Sequence, residues 1–121
     1  MAETGTTNEL APADAAQRIE KDGVDVVDVR NDEEYGAGRI AGARHIPFEE
    51  LRERAAELDR EHAVVFYCRS GNRSAAAADA FRASGWDASS ISGGLVAWAE
   101  TGLPLEPQDG EVAERSSLPG H

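Results

Sequence analysis

The stretch from residue 63 to residue 85 constrains the fold of this chain more than any other. Its first five residues are apolar and typical of a buried strand, and they lead directly into Cys68, the only cysteine of the chain. A polar segment follows over 69–73, and from Ser74 onward small, helix-forming residues continue until the glycine at its end. The order predicts a strand, a short loop and a helix that begins close to the cysteine.

This arrangement is suited to holding an anion or a thiolate. The first N–H groups of the helix point back into the loop, and the helix dipole adds partial positive charge there. Arg69 and Arg73 flank the sulfur, so we expect the thiolate form of Cys68 to be favoured. Gly71 can adopt the positive φ that turns successive N–H groups inward, and Asn72 is the next most tolerant residue. The segment therefore predicts a nucleophilic cysteine at an anion-binding loop.

The rest of the chain alternates strand and helix patterns. The expected elements are an edge strand closing at Leu10, a helix over 13–21, a strand over 24–29, a short helix over 32–35 capped by Asn31, a strand over 43–46, a helix over 48–58, a strand over 63–67, a helix over 74–84, a strand over 89–91 and a helix over 95–100. Alternation of this kind predicts an α/β fold with a mostly parallel sheet of about five strands and helices on both faces. Residues 1–8 are expected to be disordered, and 107–121 to form a flexible tail.

Polar residues at a second strand end are candidates to support the cysteine. Ligands of parallel sheets bind beyond the carboxyl ends of the strands, where both Cys68 and the segment containing Asp28 and Arg30 are expected. Asp28 and Arg30 could orient the loop or offset its charge. For Arg30 the sequence favours a structural role, pairing with Glu34 across a turn, whereas the role of Asp28 is left open.

Composition excludes several classes of function. The formal net charge of −11 argues against binding to nucleic acid or to an anionic membrane, since both require a basic surface. No apolar run approaches membrane-spanning length, and the first ten residues lack the features of a signal peptide, so we expect a cytoplasmic protein. The histidines at 45, 62 and 121 are scattered and there is one cysteine, so neither a metal nor another cofactor is expected.

The basic residues are almost all arginine, with eleven arginines and one lysine, Lys21. An acidic surface poor in lysine suits a protein kept soluble in concentrated salt. A GC-rich genome would also favour arginine codons, although it would not explain the excess of acidic residues. Both explanations stay open, and neither bears on the reaction.

Three motifs in order resemble the rhodanese family. The segment from Asp28 to Pro47, which contains the letters DVR, EY, GRIAGA and HIP, resembles that family's first signature. The letters CRSGNRS over 68–74 resemble its active-site loop, and Gly93-Gly94 with Trp98, Gly102 and Pro104 is similar to its closing segment. The resemblance spans about residues 9–106, which would be a single rhodanese-like domain. Arg39 stands where a histidine is common, at a position that looks structural in the family.

The resemblance implies a sulfurtransferase. In that family the cysteine takes the outer sulfur of an anionic donor such as thiosulfate and becomes a persulfide, which a thiol or cyanide then discharges. Carried over by position, Cys68 is the nucleophile, and the loop residues that bind the substrate are Arg69, Ser70, Gly71, Asn72, Arg73 and Ser74. Asp28 and Arg30 are supporting residues.

Two other functions compete with this interpretation. Cysteine phosphatases and arsenate reductases use a similar cradle, but their loop is one residue longer than the four residues between Cys68 and Arg73. A smaller ring favours a single sulfur atom over a tetrahedral phosphate. The other alternative is a persulfide carrier or regulatory module that serves an acceptor protein. Because the chain has one cysteine, any acceptor of the sulfur must come from outside it.

Overall fold

The computed structural model describes residues 9–21, 23–107 and 110–112. The predicted disordered segment 1–8 and most of the predicted tail lie outside these ranges. The strands are β1 (Glu9–Leu10), β2 (Asp25–Asp28), β3 (Arg44–His45), β4 (Val64–Tyr67) and β5 (Ala88–Ile91). The helices are α1 (Pro12–Lys21), α2 (Asp32–Ala37), α3 (Leu51–Arg54), α4 (Asn72–Ala83) and α5 (Gly94–Glu100).

The five strands form one sheet in the order β1-β5-β4-β2-β3, and every neighbouring pair is parallel. The α/β class and the parallel five-stranded sheet predicted from the sequence are therefore confirmed. β4 lies in the middle of the sheet, between β2 and β5. All four of its residues are buried, as expected for a strand covered on both faces.

Alternate residues of the strands face two separate cores. On one face Val27, Phe66 and Ala88 pack with residues of α3 and α4. On the other face Val26, Val65 and Ile91 pack with residues of α1 and α5. This period-2 division confirms the prediction of helices on both faces and places the carboxyl end of β4 between two layers of helices.

Several local boundaries differ from the predictions, and two of the differences affect the helices that flank the sheet. The helix expected over 48–58 is divided into a 3₁₀ turn at Phe48–Glu50, the short α3, and a second 3₁₀ turn at Ala55–Glu57. Helix α4 begins at Asn72, two residues earlier than expected. Within the described ranges, none of the helices is long and apolar enough to cross a membrane.

Candidate active site

Cys68 follows β4 directly and lies at the base of the loop that leads into α4. The residue is 1% exposed. Its Sγ accepts hydrogen bonds from the backbone N–H groups of Gly71, at 3.1 Å, and Ser74, at 3.4 Å. The hydroxyl oxygen of Ser74 lies 3.5 Å from the same sulfur. The start of α4 therefore directs several donors at one sulfur atom, a setting that stabilises negative charge there.

Gly71 makes the loop short enough for this contact. Its φ of 106° lies in the left-handed region, where a side chain would be strained, and its carbonyl accepts the N–H of Ala75 at 2.9 Å. Because the chain reverses at this one residue, the helix begins immediately after it. Asn72, Arg73 and Ser74, predicted to lie in the loop or at its border, are thus residues of the first helical turn.

The glycine pair at 93–94 packs against the back of the same loop. The N–H of Leu95 donates to the carbonyl of Cys68 at 2.8 Å, and the N–H of Val96 donates to the carbonyl of Arg69 at 3.0 Å. A Cβ at Gly94 would lie 2.5 Å from both carbonyl oxygens. The start of α5 thus holds these two loop carbonyls in place. The resemblance placed these glycines in the closing segment of the family and did not predict this contact.

Asp28 and Arg30 form a buried ion pair beside the site. Both side chains are fully buried, and the Arg30 guanidinium donates to both carboxylate oxygens of Asp28, with Nε at 2.9 Å and Nη2 at 2.6 Å. Burial lowers the pKa of Arg30, but the hydrogen bond and charge of Asp28 outweigh it, so the pKa is raised overall. The guanidinium carbon lies 5.5 Å from the ring centre of Tyr67, the residue before Cys68. The pair therefore supports the end of β4.

The predicted pairing of Arg30 with Glu34 is wrong. Glu34 is fully buried, and its two carboxylate oxygens accept hydrogen bonds from Nη1 and Nη2 of Arg73, both at 3.2 Å. Glu34 also closes the capping box of α2, since its Oε1 accepts the N–H of Asn31 at 3.1 Å. The carboxylate reaches Arg73 because α2 starts beside the first turn of α4, an adjacency that the sequence does not reveal.

The electrostatics of Glu34 follow from these contacts. Burial raises its pKa, but the hydrogen bonds from Arg73 and from the Asn31 backbone outweigh burial, as do the charges of Arg73 and Arg30. The pKa of Glu34 is therefore held below its usual value. Arg73 is thus anchored to a carboxylate, and its predicted contact with a donor stays a prediction.

The remaining loop residues surround the sulfur less closely. Ser70 and Asn72 are exposed and Arg69 is half-buried. The structure therefore brings Cys68, Gly71 and Ser74 into direct contact, and leaves the predicted binding roles of Arg69, Ser70 and Asn72 as predictions. It adds a residue that the sequence analysis missed: Ser90 on β5, whose Oγ lies 2.8 Å from that of Ser74. A serine inside a buried strand was the available signal.

Other conspicuous residues have packing roles. His45 stacks on Tyr35, with ring centres 4.4 Å apart, and its Nε2 lies 2.7 Å from the Arg30 carbonyl. Trp86 packs edge-on against Phe81, and the indole N–H of Trp98 donates to the carbonyl of Pro104 at 2.8 Å. In the ranges that the structure describes, there is no group of three or more His, Cys, Asp or Glu side chains that could hold a metal ion.

The sequence model of the rhodanese-like domain matches residues 11–101, most of the chain. The chain belongs to the rhodanese-like domain family. Among solved structures, a rhodanese-related protein from Thermoplasma volcanium superposes with a TM-score of 0.75 at 35% identity, covering 80% of this chain and 95% of that one. A Rhodopseudomonas palustris structure described as a possible tyrosine phosphatase superposes with a TM-score of 0.71 at 29% identity, covering 84% of this chain and 86% of that one.

Two relatives show how this rhodanese-like domain occurs in other proteins. The thiosulfate sulfurtransferase GlpE of Pseudomonas paraeruginosa is 34% identical over 108 residues, which cover 88% of this chain and 96% of that protein. The HTH-type transcriptional regulator Rv0324 of Mycobacterium tuberculosis is 40% identical over 100 residues, or 80% of this chain. The match spans only 44% of that regulator's length.

Proposed function

We propose that this rhodanese-like domain is a sulfurtransferase that carries sulfane sulfur as a persulfide on Cys68. The observation that supports this most directly is the buried Sγ of Cys68. It accepts hydrogen bonds from two backbone N–H groups at the start of a 12-residue helix. A loop of this kind stabilises a thiolate before the reaction and a persulfide anion after it. The name of the GlpE relative supports thiosulfate as the donor.

The reaction has two displacement steps. In the first, the Cys68 thiolate attacks the outer sulfur of thiosulfate, an S–S bond forms to Cys68, and sulfite leaves with the electron pair of the broken S–S bond. In the second, an external thiolate or cyanide attacks the outer sulfur of the persulfide. The Cys68 thiolate leaves and is regenerated, so neither step needs an added oxidant, a metal or another cofactor.

The loop residues have separate roles in this proposal. Arg69 and Arg73 bind the oxyanion part of the donor, because a guanidinium matches oxyanion geometry well. Glu34 holds Arg73 in position, since Nη1 of Arg73 donates to Oε1 of Glu34 at 3.2 Å. Ser70, Gly71, Asn72 and Ser74 surround the transferred sulfur, and the buried pair of Asp28 and Arg30 supports the strand end beneath it.

A cysteine phosphatase or arsenate reductase is the alternative that the R. palustris neighbour raises. Four residues separate Cys68 from Arg73, one fewer than in the corresponding loop of cysteine phosphatases and arsenate reductases. The shorter ring, which carries two backbone N–H groups directed at a single sulfur, favours sulfur over phosphate.

A persulfide carrier or regulatory module is the second alternative, and the relative Rv0324 supports it, since there the matching region is part of a transcriptional regulator. The chemistry at Cys68 would be the same, but the acceptor would be a dedicated protein.

We place the reaction in the cytoplasm, where a lone thiol stays reduced. The net charge of −11 makes nucleic acid and anionic membranes poor partners.

The thiosulfate–cyanide assay tests the proposal. The wild-type protein is expected to produce thiocyanate, and Cys68→Ser, which preserves size and removes the sulfur nucleophile, is expected to produce none above background. Intact-mass spectrometry after thiosulfate treatment should show one added sulfur in the wild type alone. Thiocyanate production equal to that of Cys68→Ser, together with release of phosphate from an aryl phosphate, would overturn the proposal in favour of the phosphatase.

A further inference from the structure

Ser90 is a buried hydroxyl residue in the interior of the sheet. It lies on β5, paired with Phe66 of β4 on one side and Glu9 of β1 on the other, and is 1% exposed. Buried positions of a parallel sheet are usually apolar, because a buried hydroxyl needs a hydrogen-bond partner. A serine here therefore requires an explanation from its contacts.

The contact of Ser90 leads to the candidate nucleophile. Its Oγ lies 2.8 Å from the Oγ of Ser74, which in turn lies 3.5 Å from Sγ of Cys68. Among the described residues, Ser74 is the one side-chain partner that the structure gives to the Ser90 hydroxyl. The three residues come from β5, α4 and the end of β4, so only the tertiary fold aligns them.

The number of hydrogens limits the possible directions of this chain, since either hydroxyl could donate in the contact between Ser74 and Ser90. Each serine hydroxyl has one hydrogen to donate and can accept others. If the Ser90 hydrogen is directed at Ser74, the Ser74 hydrogen is available for either Sγ or the carbonyl of Gly71, which lies 3.3 Å away. A negatively charged sulfur is the stronger acceptor of the two, and a hydroxyl that accepts one hydrogen bond donates the next more strongly.

We infer that Ser90 is a positioning residue for sulfur transfer, whose hydroxyl orients Ser74 so that Ser74 donates to the thiolate and persulfide of Cys68. The inference rests on the proposed function for its importance to catalysis. The hydrogen-bond chain itself acts on the sulfur of Cys68, and its effect can be measured without a sulfur donor such as thiosulfate. Ser90 acts through Ser74, and it does not touch the sulfur.

The first test is Ser90→Ala against Ser89→Ala. Ser89 is the preceding residue of the same buried strand, its side chain points to the opposite face of the sheet, and the chemical change is identical. In single-turnover reactions with thiosulfate, Ser90→Ala is expected to form the persulfide about fivefold more slowly than Ser89→Ala, the value of one typical hydrogen bond. Equal rates in the two variants would overturn the inference.

A second comparison separates the hydroxyl from packing. Ser90→Thr and Ser90→Val have the same shape, so any overpacking is shared and only the hydroxyl differs. The threonine variant is expected to react faster than the valine variant, provided that both unfold cooperatively. In a Ser74→Ala background, Ser90→Ala is expected to have no further effect. An equal slowing in both backgrounds would mean that Ser90 acts by general loosening, and would overturn the inference.

Alkylation of Cys68 by iodoacetamide distinguishes failure of this inference from failure of the proposed function. The midpoint of the pH profile of alkylation should move upward in Ser90→Ala and stay unchanged in Ser89→Ala. If the wild type forms no persulfide but the midpoint still moves, the proposed function fails and the hydrogen-bond chain stands. If the wild type forms the persulfide and neither the midpoint nor the rate responds to Ser90→Ala, the chain has no role.

Discussion

At the scale of single residues, the site depends on a carboxylate that serves two elements. Glu34 closes the capping box of α2 through Asn31 and anchors Arg73 on α4 through both terminal guanidinium nitrogens. Its side chain is fully buried, so loss of its charge would leave Arg73 without its ion-pair partner. The residue therefore joins a local helix signal to the geometry of the loop.

We expect Glu34→Gln to lower the free energy of unfolding by roughly 2 kcal/mol at pH 7. The pKa of Glu34 is lowered in the folded protein, so its stabilising effect is present above the unfolded value of about 4.3 and is lost as the pH falls through the lower folded value. The difference between wild type and variant should shrink in that acidic range. Thermal unfolding from neutral to acidic pH measures this.

Glu33→Gln is the matched control, because Glu33 is the exposed neighbour on the same helix. Its stability should stay close to that of the wild type at every pH. A Glu34→Gln penalty that persisted unchanged at low pH would show that shape, and not charge, is what Glu34 contributes.

The two arginines of the loop should respond differently to loss of charge. Arg69→Gln is expected to raise the KM for thiosulfate several-fold, because its proposed partner is the donor. Arg73→Gln should raise the KM and also lower stability, since it removes the pair with Glu34. Steady-state kinetics and melting temperatures separate these effects, with the exposed Arg52→Gln on α3 as control. Identical behaviour of the three variants would contradict the assigned roles.

At the scale of elements, the start of α5 determines the shape of the loop. Two N–H groups that a helix start leaves without partners within the helix donate to the carbonyls of Cys68 and Arg69. The start of the helix and the loop therefore satisfy each other's backbone hydrogen-bonding groups. Gly94 permits this contact, since a side chain there would overlap both carbonyl oxygens.

Gly94→Ala should consequently damage the site more than an alanine substitution at another glycine whose φ is equally unfavourable for alanine. Gly94 has a φ of 64° and Gly102 a φ of 89°, so alanine is strained at both positions, but a Cβ at Gly102 meets no atom within 4 Å. Gly102→Ala is expected to lose about 1 kcal/mol of stability and to retain sulfur transfer. Gly94→Ala is expected to lose more stability and most of the activity. Equal activity in the two variants would contradict the role given to the helix start.

At the scale of the whole molecule, the net charge of −11 acts on stability more than on chemistry. Repulsion between like charges destabilises a compact fold, and salt screens it, because the Debye length falls from about 10 Å at 0.1 M to about 3 Å at 1 M. The excess of acidic side chains would then be tolerated best in concentrated salt.

We expect the melting temperature to rise between about 0.1 M and 1 M potassium chloride, with sulfur transfer preserved or improved. The preserved activity would favour salt adaptation as the explanation for the acidic, lysine-poor surface, because screening of the net charge raises the melting temperature under either explanation. An activity that falls with salt would favour the GC-rich genome instead. Measurement of both quantities over a salt series decides between the two explanations.

The sequence by itself determined the layered fold and the place of the candidate nucleophile. The buried run of β4, the cysteine after it and the small residues of α4 are local patterns, and strand–helix alternation admits few topologies. Asn31 was likewise predicted to cap α2, and Glu34, three residues later, closes the capping box in the structure. These features depend on neighbours along the chain.

Tertiary structure alone decided which distant residues pair around the site. The pairing of Glu34 with Arg73 joins positions 39 residues apart, and that of Ser74 with Ser90 joins positions 16 apart. Local periodicity carries no information about such pairs, because they depend on which strand ends and helix starts the sheet order brings together. The pairing of Arg30 with Glu34 was wrongly predicted because Glu34 binds the distant Arg73, while Arg30 pairs with the nearby Asp28. Cys68 could be identified from the sequence, whereas the network that surrounds it could not.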